Sequence, residues 1–267
     1  MMTHTPPALF ARAEQAARAD GKEAYFRLHR YRYAAVLEAL PPPPATVLEV
    51  GVTPGQFTRL LVESGYRTSG VDLDPHKRAA LWAELGVEVR QANLEQEPIP
   101  FADQSFDCAV FSEVIEHLVY SPLPVLREIY RVLKPGGALV LSTPNELYFK
   151  SRLRTLLHVL CWQSLDTPAE FRHKMLLEGT ARYTTHARTY TMPELVWLVQ
   201  QAGLQVAVRR YSAAWERVGL DEGRLRHKPL QVLGKRALLG ITTVVPSTRS
   251  MLLLVAVRPV QPAPVSR

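Results

Sequence analysis

Three side chains suited to acid–base or metal chemistry fall at i, i+3 and i+4 in the segment FSEVIEHL: Glu113, Glu116 and His117. On a helix that spacing turns all three to one side. Joined by His186, they make a set of carboxylate oxygens and imidazole nitrogens that suits a divalent ion such as magnesium or manganese. An ion held there would grip two hydroxyls of a substrate and lower the pKa of one. The pattern is compatible with a metal without requiring one. As metal-free groups, His117 and His186 are the candidates for general base.

A second constellation surrounds VLEVGVTPGQFTRLL, residues 47–61. An apolar run with an embedded acid, Glu49, is followed by Gly51, Thr53, Pro54 and Gly55 and then by an amphipathic run. This reads as a strand, a tight turn and a helix. Glycine is wanted where backbone must turn sharply and approach a ligand closely, and the next helix presents free amides at its start. The dinucleotide pattern G-x-G-x-x-G is absent, because Thr53 stands at the middle position. Asp72, at the end of the following apolar run, is placed to accept from ribose hydroxyls.

The elements that must position these groups alternate. Residues 8–40 read as helix, in two pieces, with Phe26, Tyr33, Val36, Leu37 and Leu40 near one face, and the prolines at 41–44 end it. Strands are predicted at TVLEV, TSGVDL, VEVRQA, FDCAVF and GALVLST, with helices at about 56–64, 75–85 and 114–133 between them. Such alternation predicts a parallel sheet with helices on both faces. It stops after STPNELYF. Residues 146–190 are basic, partly helical, and carry His158, His173 and His186, and their place after the fifth strand makes them a cap over the strand ends. A helix (192–203), a strand (204–212), a helix near 228–240 and a last strand (250–257) follow.

The blocks VLEVGVTPG, GVDLDP, QANLEQEPIPFADQSFDCAVFSEVIEHL and REIYRVLKPGGALVLSTPN together resemble the class I S-adenosylmethionine-dependent methyltransferases, strongly over residues 45–145, and HARTYTMPELVWLVQQAGLQV adds a weaker match. The resemblance implies an α/β, Rossmann-like, doubly wound and mostly parallel seven-stranded sheet with an antiparallel last strand. A helical extension (1–44) would precede a methyltransferase domain (45–267) carrying the cap. It also implies roles. Gly51, Thr53 and Gly55 would face the methionine part of S-adenosylmethionine, with Glu49 supporting its amino group. Asp72 would hold the ribose, with Leu73 against the adenine. Asn93, beside Leu94, falls where the family often has an aspartate that accepts from the adenine amino group, and an amide carbonyl can also accept. Ser112 and Glu113 would lie beside the sulfonium. The Glu/Glu/His cluster further resembles small-RNA 3′-terminal 2′-O-methyltransferases and ubiquinone-pathway O-methyltransferases.

Composition narrows the acceptor only partly. Residues 1–145 carry a net charge of −3 and residues 146–267 one of +10, a polarity suited to an anionic partner. A small-molecule, lipid or saccharide acceptor is expected, with peripheral membrane contact through the apolar, arginine-flanked segments 153–162 and 230–240. RNA is the alternative acceptor, though the basic residues are not interleaved with aromatics. A non-catalytic cofactor-binding protein is the third reading, resting on Thr53 and Asn93. Two cysteines without framework spacing, Cys108 and Cys161, suit a reducing, cytoplasmic setting. The most apolar stretch, 237–257, is broken by the segment 246–250, so no transmembrane helix is expected.

Overall fold

The computed structural model describes residues 7–164, 166, 168–220 and 229–260. Seven strands form one sheet in the order β3-β2-β1-β4-β5-β7-β6. They are β1 (Thr46–Val50), β2 (Arg67–Asp72), β3 (Glu88–Gln91), β4 (Phe106–Ser112), β5 (Leu133–Pro144), β6 (Gln205–Ser212) and β7 (Met251–Val257). Pairs among β1 to β5 are parallel, and β7 is antiparallel to both β5 and β6. The expected architecture, antiparallel last strand included, is therefore the one observed.

Residues on the central strands alternate between two apolar layers, as a period-two strand buried on both faces must. Cys108 and Val110 of β4 face helices α1 (Pro7–Ala19), α2 (Glu23–Leu37) and α3 (Gln56–Glu63). Ala109 and Phe111 face α5 (Leu123–Val132) and α8 (Met192–Gln201) on the other side. Burial pushes the Cys108 thiol up to about 12, as befits a packing group, whereas Cys161 is exposed. Helix α4 (Ala79–Leu85) follows a short 3-10 turn at Pro75–Arg78.

The run at 114–133 is not one helix. A 3-10 turn covers Ile115–His117, the chain then extends, and α5 begins at Leu123. Pro122 and Pro124 explain the break, because neither can sit in a helix interior and both suit a first turn. Glu113, Glu116 and His117 consequently do not share a regular helix face. The helical stripe on α2 also differs from expectation: Phe26, His29, Arg32, Tyr33 and Val36 are buried, while Leu37 and Leu40 are only partly so.

Beyond β5, the chain forms α6 (Phe149–Leu160), α7 (Pro168–Met175) and a 3-10 turn at Gly179–Thr184 before α8. Thr191 and Glu194 start α8 with a reciprocal capping box. After β6 come a one-turn helix, α9 (Ala214–Arg217), and α10 (Pro229–Val244). Asn145 ties these excursions to the sheet: its amide donates to the carbonyls of Ser247 and Arg249, and its backbone bridges to Tyr190. Among the described residues no helix is long and apolar enough to cross a membrane.

Candidate active site

In an open α/β sheet, ligands sit where neighbouring strands send their connections in opposite directions. Here that point lies between β1 and β4, which pair directly although two strands separate them in sequence. A cavity of about 300 Å³ opens there. Glu49, Gly51, Thr53, Gly55, Asp72, Leu73, Asn93, Leu94, Ser112, Glu113 and His117 all line it. His186 is not a lining residue, and stands behind His117 with the two rings 4.8 Å apart, edge to face.

The floor is the turn after β1. Gly51 and Gly55 have φ of +80° and +92°, where a side chain strains the backbone. A Cβ on Gly51 would lie 2.6 Å from Val114, and one on Gly55 would collide with Leu81. Thr53 does not plug the crevice. Its side chain is exposed, and its N–H donates to Asp72 Oδ2 at 3.0 Å. The other oxygen of Asp72 accepts from the Asp74 N–H at 3.0 Å. Two backbone donors thus orient the carboxylate, and each oxygen keeps a lone pair for a further donor.

Glu49 projects from the penultimate residue of β1 and is 4% exposed. Thr58 donates to it at 2.6 Å. Burial pushes its carboxyl up to about 8; the Thr58 hydroxyl opposes that rise, Asp72 adds to it, and Arg32 works against it. A buried carboxyl of this kind is poised to ionise when a cation arrives. At the opposite end, the Asn93 amide donates to the Tyr183 hydroxyl at 3.3 Å, and its carbonyl accepts from the Glu95 N–H at 3.2 Å. Tyr183 comes from the 3-10 turn at Gly179–Thr184, so this segment reaches the cavity directly.

Glu113 adopts φ +56°, unusual for a residue with a side chain and often met at functional sites. Its carboxylate pairs with the Arg32 guanidinium at 3.2 Å and accepts from Ser142 at 3.3 Å. It therefore leaves the expected four-residue cluster. Glu116, His117 and His186 remain, each offering a ligand atom within 4.8 Å of the others. Thr143 donates to one oxygen of the fully buried Glu116, and the other has no partner. Burial, then the neighbouring Glu113, holds the Glu116 carboxyl well above the usual range. The Glu116 backbone carbonyl accepts from the N–H groups of Ala187 and Arg188, and so draws the loop carrying His186 to the site. His117 Nδ1 lies 3.1 Å from the Thr185 carbonyl and must donate to it, which leaves Nε2 as an acceptor. Burial, then His186, lowers the His117 pKa, so the ring is neutral near pH 7.

Several lining residues were not foreseen: Tyr25, Arg32 and Tyr33 from α2, and Tyr183 from the 3-10 turn before α8. Arg32 matters most. It is buried, its Nε has no partner, and its guanidinium lies 5.3 Å from the Tyr33 ring. Burial works against its charge, yet Glu113 holds its pKa above the ordinary value. The signal was available: Arg32 falls beside Phe26, His29 and Tyr33 on the apolar stripe of α2, where an unpaired arginine is rarely tolerated. Tyr183 had no such signal, because its contact with Asn93 spans 90 residues of sequence.

A family model described as a methyltransferase domain matches residues 24–207. A Mycolicibacterium vanbaalenii protein named as an uncharacterized methyltransferase is 33% identical over 178 residues, 64% of this chain and 67% of that protein. A Mycolicibacterium smegmatis protein named as a probable S-adenosylmethionine-dependent methyltransferase is 31% identical over 161 residues, 60% of this chain but only 52% of that protein. This chain thus spans about half the length of that relative, and 38% of a Mycobacterium avium methyltransferase that it also matches. Among solved structures, an S-adenosylmethionine-dependent methyltransferase from Mesorhizobium loti shares the fold with TM-score 0.53 and 19% identity, covering 84% of this chain and 96% of that one. Haemonchus contortus phosphoethanolamine N-methyltransferase 2, in complex with S-adenosyl-L-methionine, shares it with TM-score 0.56 and 14% identity, covering 96% of this chain and 61% of that one. The chain belongs to the class I S-adenosylmethionine-dependent methyltransferases.

Proposed function

We propose that the protein transfers the methyl group of S-adenosylmethionine to a hydroxyl of a small-molecule, lipid or saccharide acceptor, with His117 as general base. The observation that carries this reading is His117 itself. It lines the cofactor cavity with Nδ1 tied to the Thr185 carbonyl and Nε2 left as an acceptor, on a ring kept neutral by burial. A hydroxyl attacking a methyl must lose its proton, and a neutral imidazole within reach serves that need. The rest of the task is alignment about 3–3.5 Å from the methyl carbon and exclusion of water.

The cofactor's charges match the cavity residue by residue. Glu49 would meet the ammonium, and Arg32, with its unpartnered Nε, the carboxylate. Asp72 would take the ribose hydroxyls, and Leu73 and Leu94 would flank the adenine. A small acceptor is favoured over RNA because Arg32, already paired with Glu113, is the single Lys or Arg among the described lining residues. A nucleic-acid path would need a basic track to the reaction centre.

A second reading is favoured by the unpartnered oxygen of Glu116. With His117 and His186 it fits a divalent cation, which when bound would lower the pKa of an acceptor hydroxyl. Metal analysis of the purified protein, with activity before and after chelation, separates the two: full activity of chelated, metal-free protein removes the cation. The proposal as a whole is tested with cofactor labelled in its methyl group, incubated with cell extract and fractionated into lipid, RNA and small-molecule pools. Label in the lipid or small-molecule pool, lost in His117→Ala, is expected. Label confined to RNA, or undiminished in that variant, refutes it.

A further inference from the structure

Helix α6 spans 12 residues and buries none of them. Leu153, Leu156, Leu157 and Leu160 recur at the spacing of one helix face, and each is 45% exposed or more. Helix α10 repeats the pattern. Val232 and Thr242 are its buried side, while Leu230, Leu233, Ile241 and Val244 form an exposed stripe. In the chain between them, α7 leaves Phe171 and Met175 exposed, and Trp162 is 96% exposed. Exposed apolar stripes on this scale mark an interaction site.

The charges name the occupant. Helices α6 and α10 carry Lys150, Arg152, Arg154, Lys235 and Arg236, and no acidic residue. Lys150, Arg154 and Arg236 make no ion pair among the described residues. A protein partner would be expected to meet such a face with matching acidic side chains at fixed positions. A bilayer meets it everywhere, since acyl chains accept the leucines and anionic headgroups the cations. Position adds a reason. A groove of about 570 Å³ is lined by Lys150 from the start of α6, by Gly234 and Leu238 of α10, and by Leu28 of α2. One turn before Leu28, Tyr25 lines the cofactor cavity.

We propose that α6 and α10, whose residues meet at the groove beside Leu28, dock on an anionic membrane surface, leucine stripes in the headgroup–acyl boundary and free cations on the phosphates, so that the groove opens toward the lipid. The inference stands on surface chemistry and does not depend on which acceptor is methylated.

The test is co-sedimentation of the full chain with phosphatidylcholine vesicles and with vesicles in which roughly a third of the lipid is phosphatidylglycerol. Binding to the anionic vesicles alone, weakened by salt, is expected. Each basic residue near such a surface contributes about fivefold, so a combined Lys150→Ala, Arg154→Ala, Arg236→Ala variant should lose about a hundredfold in partitioning. A Leu156→Glu, Leu160→Glu variant should lose binding at any salt concentration. Cofactor affinity by calorimetry, expected unchanged in both, shows that the variants are folded and keeps this test separate from the catalytic proposal. Equal binding to neutral vesicles, no binding to anionic ones, or variants that bind like the parent overturns the inference. So does a concentration-dependent dimer, seen by sedimentation, that the leucine substitutions dissolve.

Discussion

If Glu49 receives the ammonium of S-adenosylmethionine, cofactor affinity must rise with pH across the range where Glu49 ionises. The carboxyl sits at about 8 in the free protein because it is buried, with Asp72 of β2 adding to the rise and Thr58 of α3 and Arg32 of α2 opposing it. A group with that pKa is about 0.3% ionised at pH 5.5 and about a quarter ionised at pH 7.5, a ratio of about 75. If only the ionised form binds the cation well, the dissociation constant falls by about that factor over the interval. Binding must also release a proton, because the cation pulls the pKa down. The stability of the cofactor-free protein runs the other way. A raised carboxyl pKa contributes stability that is fully present below the unfolded value near 4.5 and is lost as pH rises through about 8. Calorimetry in buffers of different ionisation enthalpy measures both affinity and protons released, at pH 5.5, 6.5 and 7.5 on roughly equal steps of expected change. Glu49→Gln should bind more weakly and flatten the profile. A flat profile in the parent protein, or the same slope in Glu49→Gln, refutes the assignment and hands the pH dependence to Glu116 or His117.

Asp72→Ala should weaken cofactor binding by about ten- to a hundredfold, the worth of one charge-assisted hydrogen bond or two; unchanged affinity by calorimetry would mean that the ribose lies elsewhere. Arg32→Ala leaves the largely covered Glu113 carboxylate without its cation and should cost about 3–5 kcal/mol in denaturant unfolding. Adding Glu113→Gln should recover part of that loss. His117→Ala should lower kcat by about a hundredfold or more while the cofactor dissociation constant moves only severalfold. His29 has a pKa near 3 because burial, reinforced by Arg32, disfavours its charged form. Its contribution to stability is complete above the unfolded value near 6.5 and is lost as pH falls toward 3, so His29→Gln should flatten the acid side of the melting-temperature profile.

Local chemistry made much of the molecule readable in the chain. The alternation of apolar runs with amphipathic ones, and prolines at 41–44, located all seven strands to within a few residues. Gly51 and Gly55 were legible because positive φ and close approach leave no other choice, and Asp72 because it ends an apolar run. Reading 114–133 as one helix failed where Pro122 and Pro124 were given too little weight against a strong apolar period. Helical spacing of Glu113, Glu116 and His117 therefore predicted one cluster, and the structure made two.

The sequence by itself determined the α/β architecture, the cofactor turn and the acids at the ends of β1 and β2, because strand period, glycine conformation and helix punctuation act within a few residues of one another. Tertiary structure alone decided which groups meet. Arg32 joins Glu113 across 81 positions, Tyr183 joins Asn93 across 90, and the Thr185 carbonyl sets the proton on His117 from 68 away. Such pairings depend on how packed layers bring distant segments together, and no local period in the chain encodes that distance.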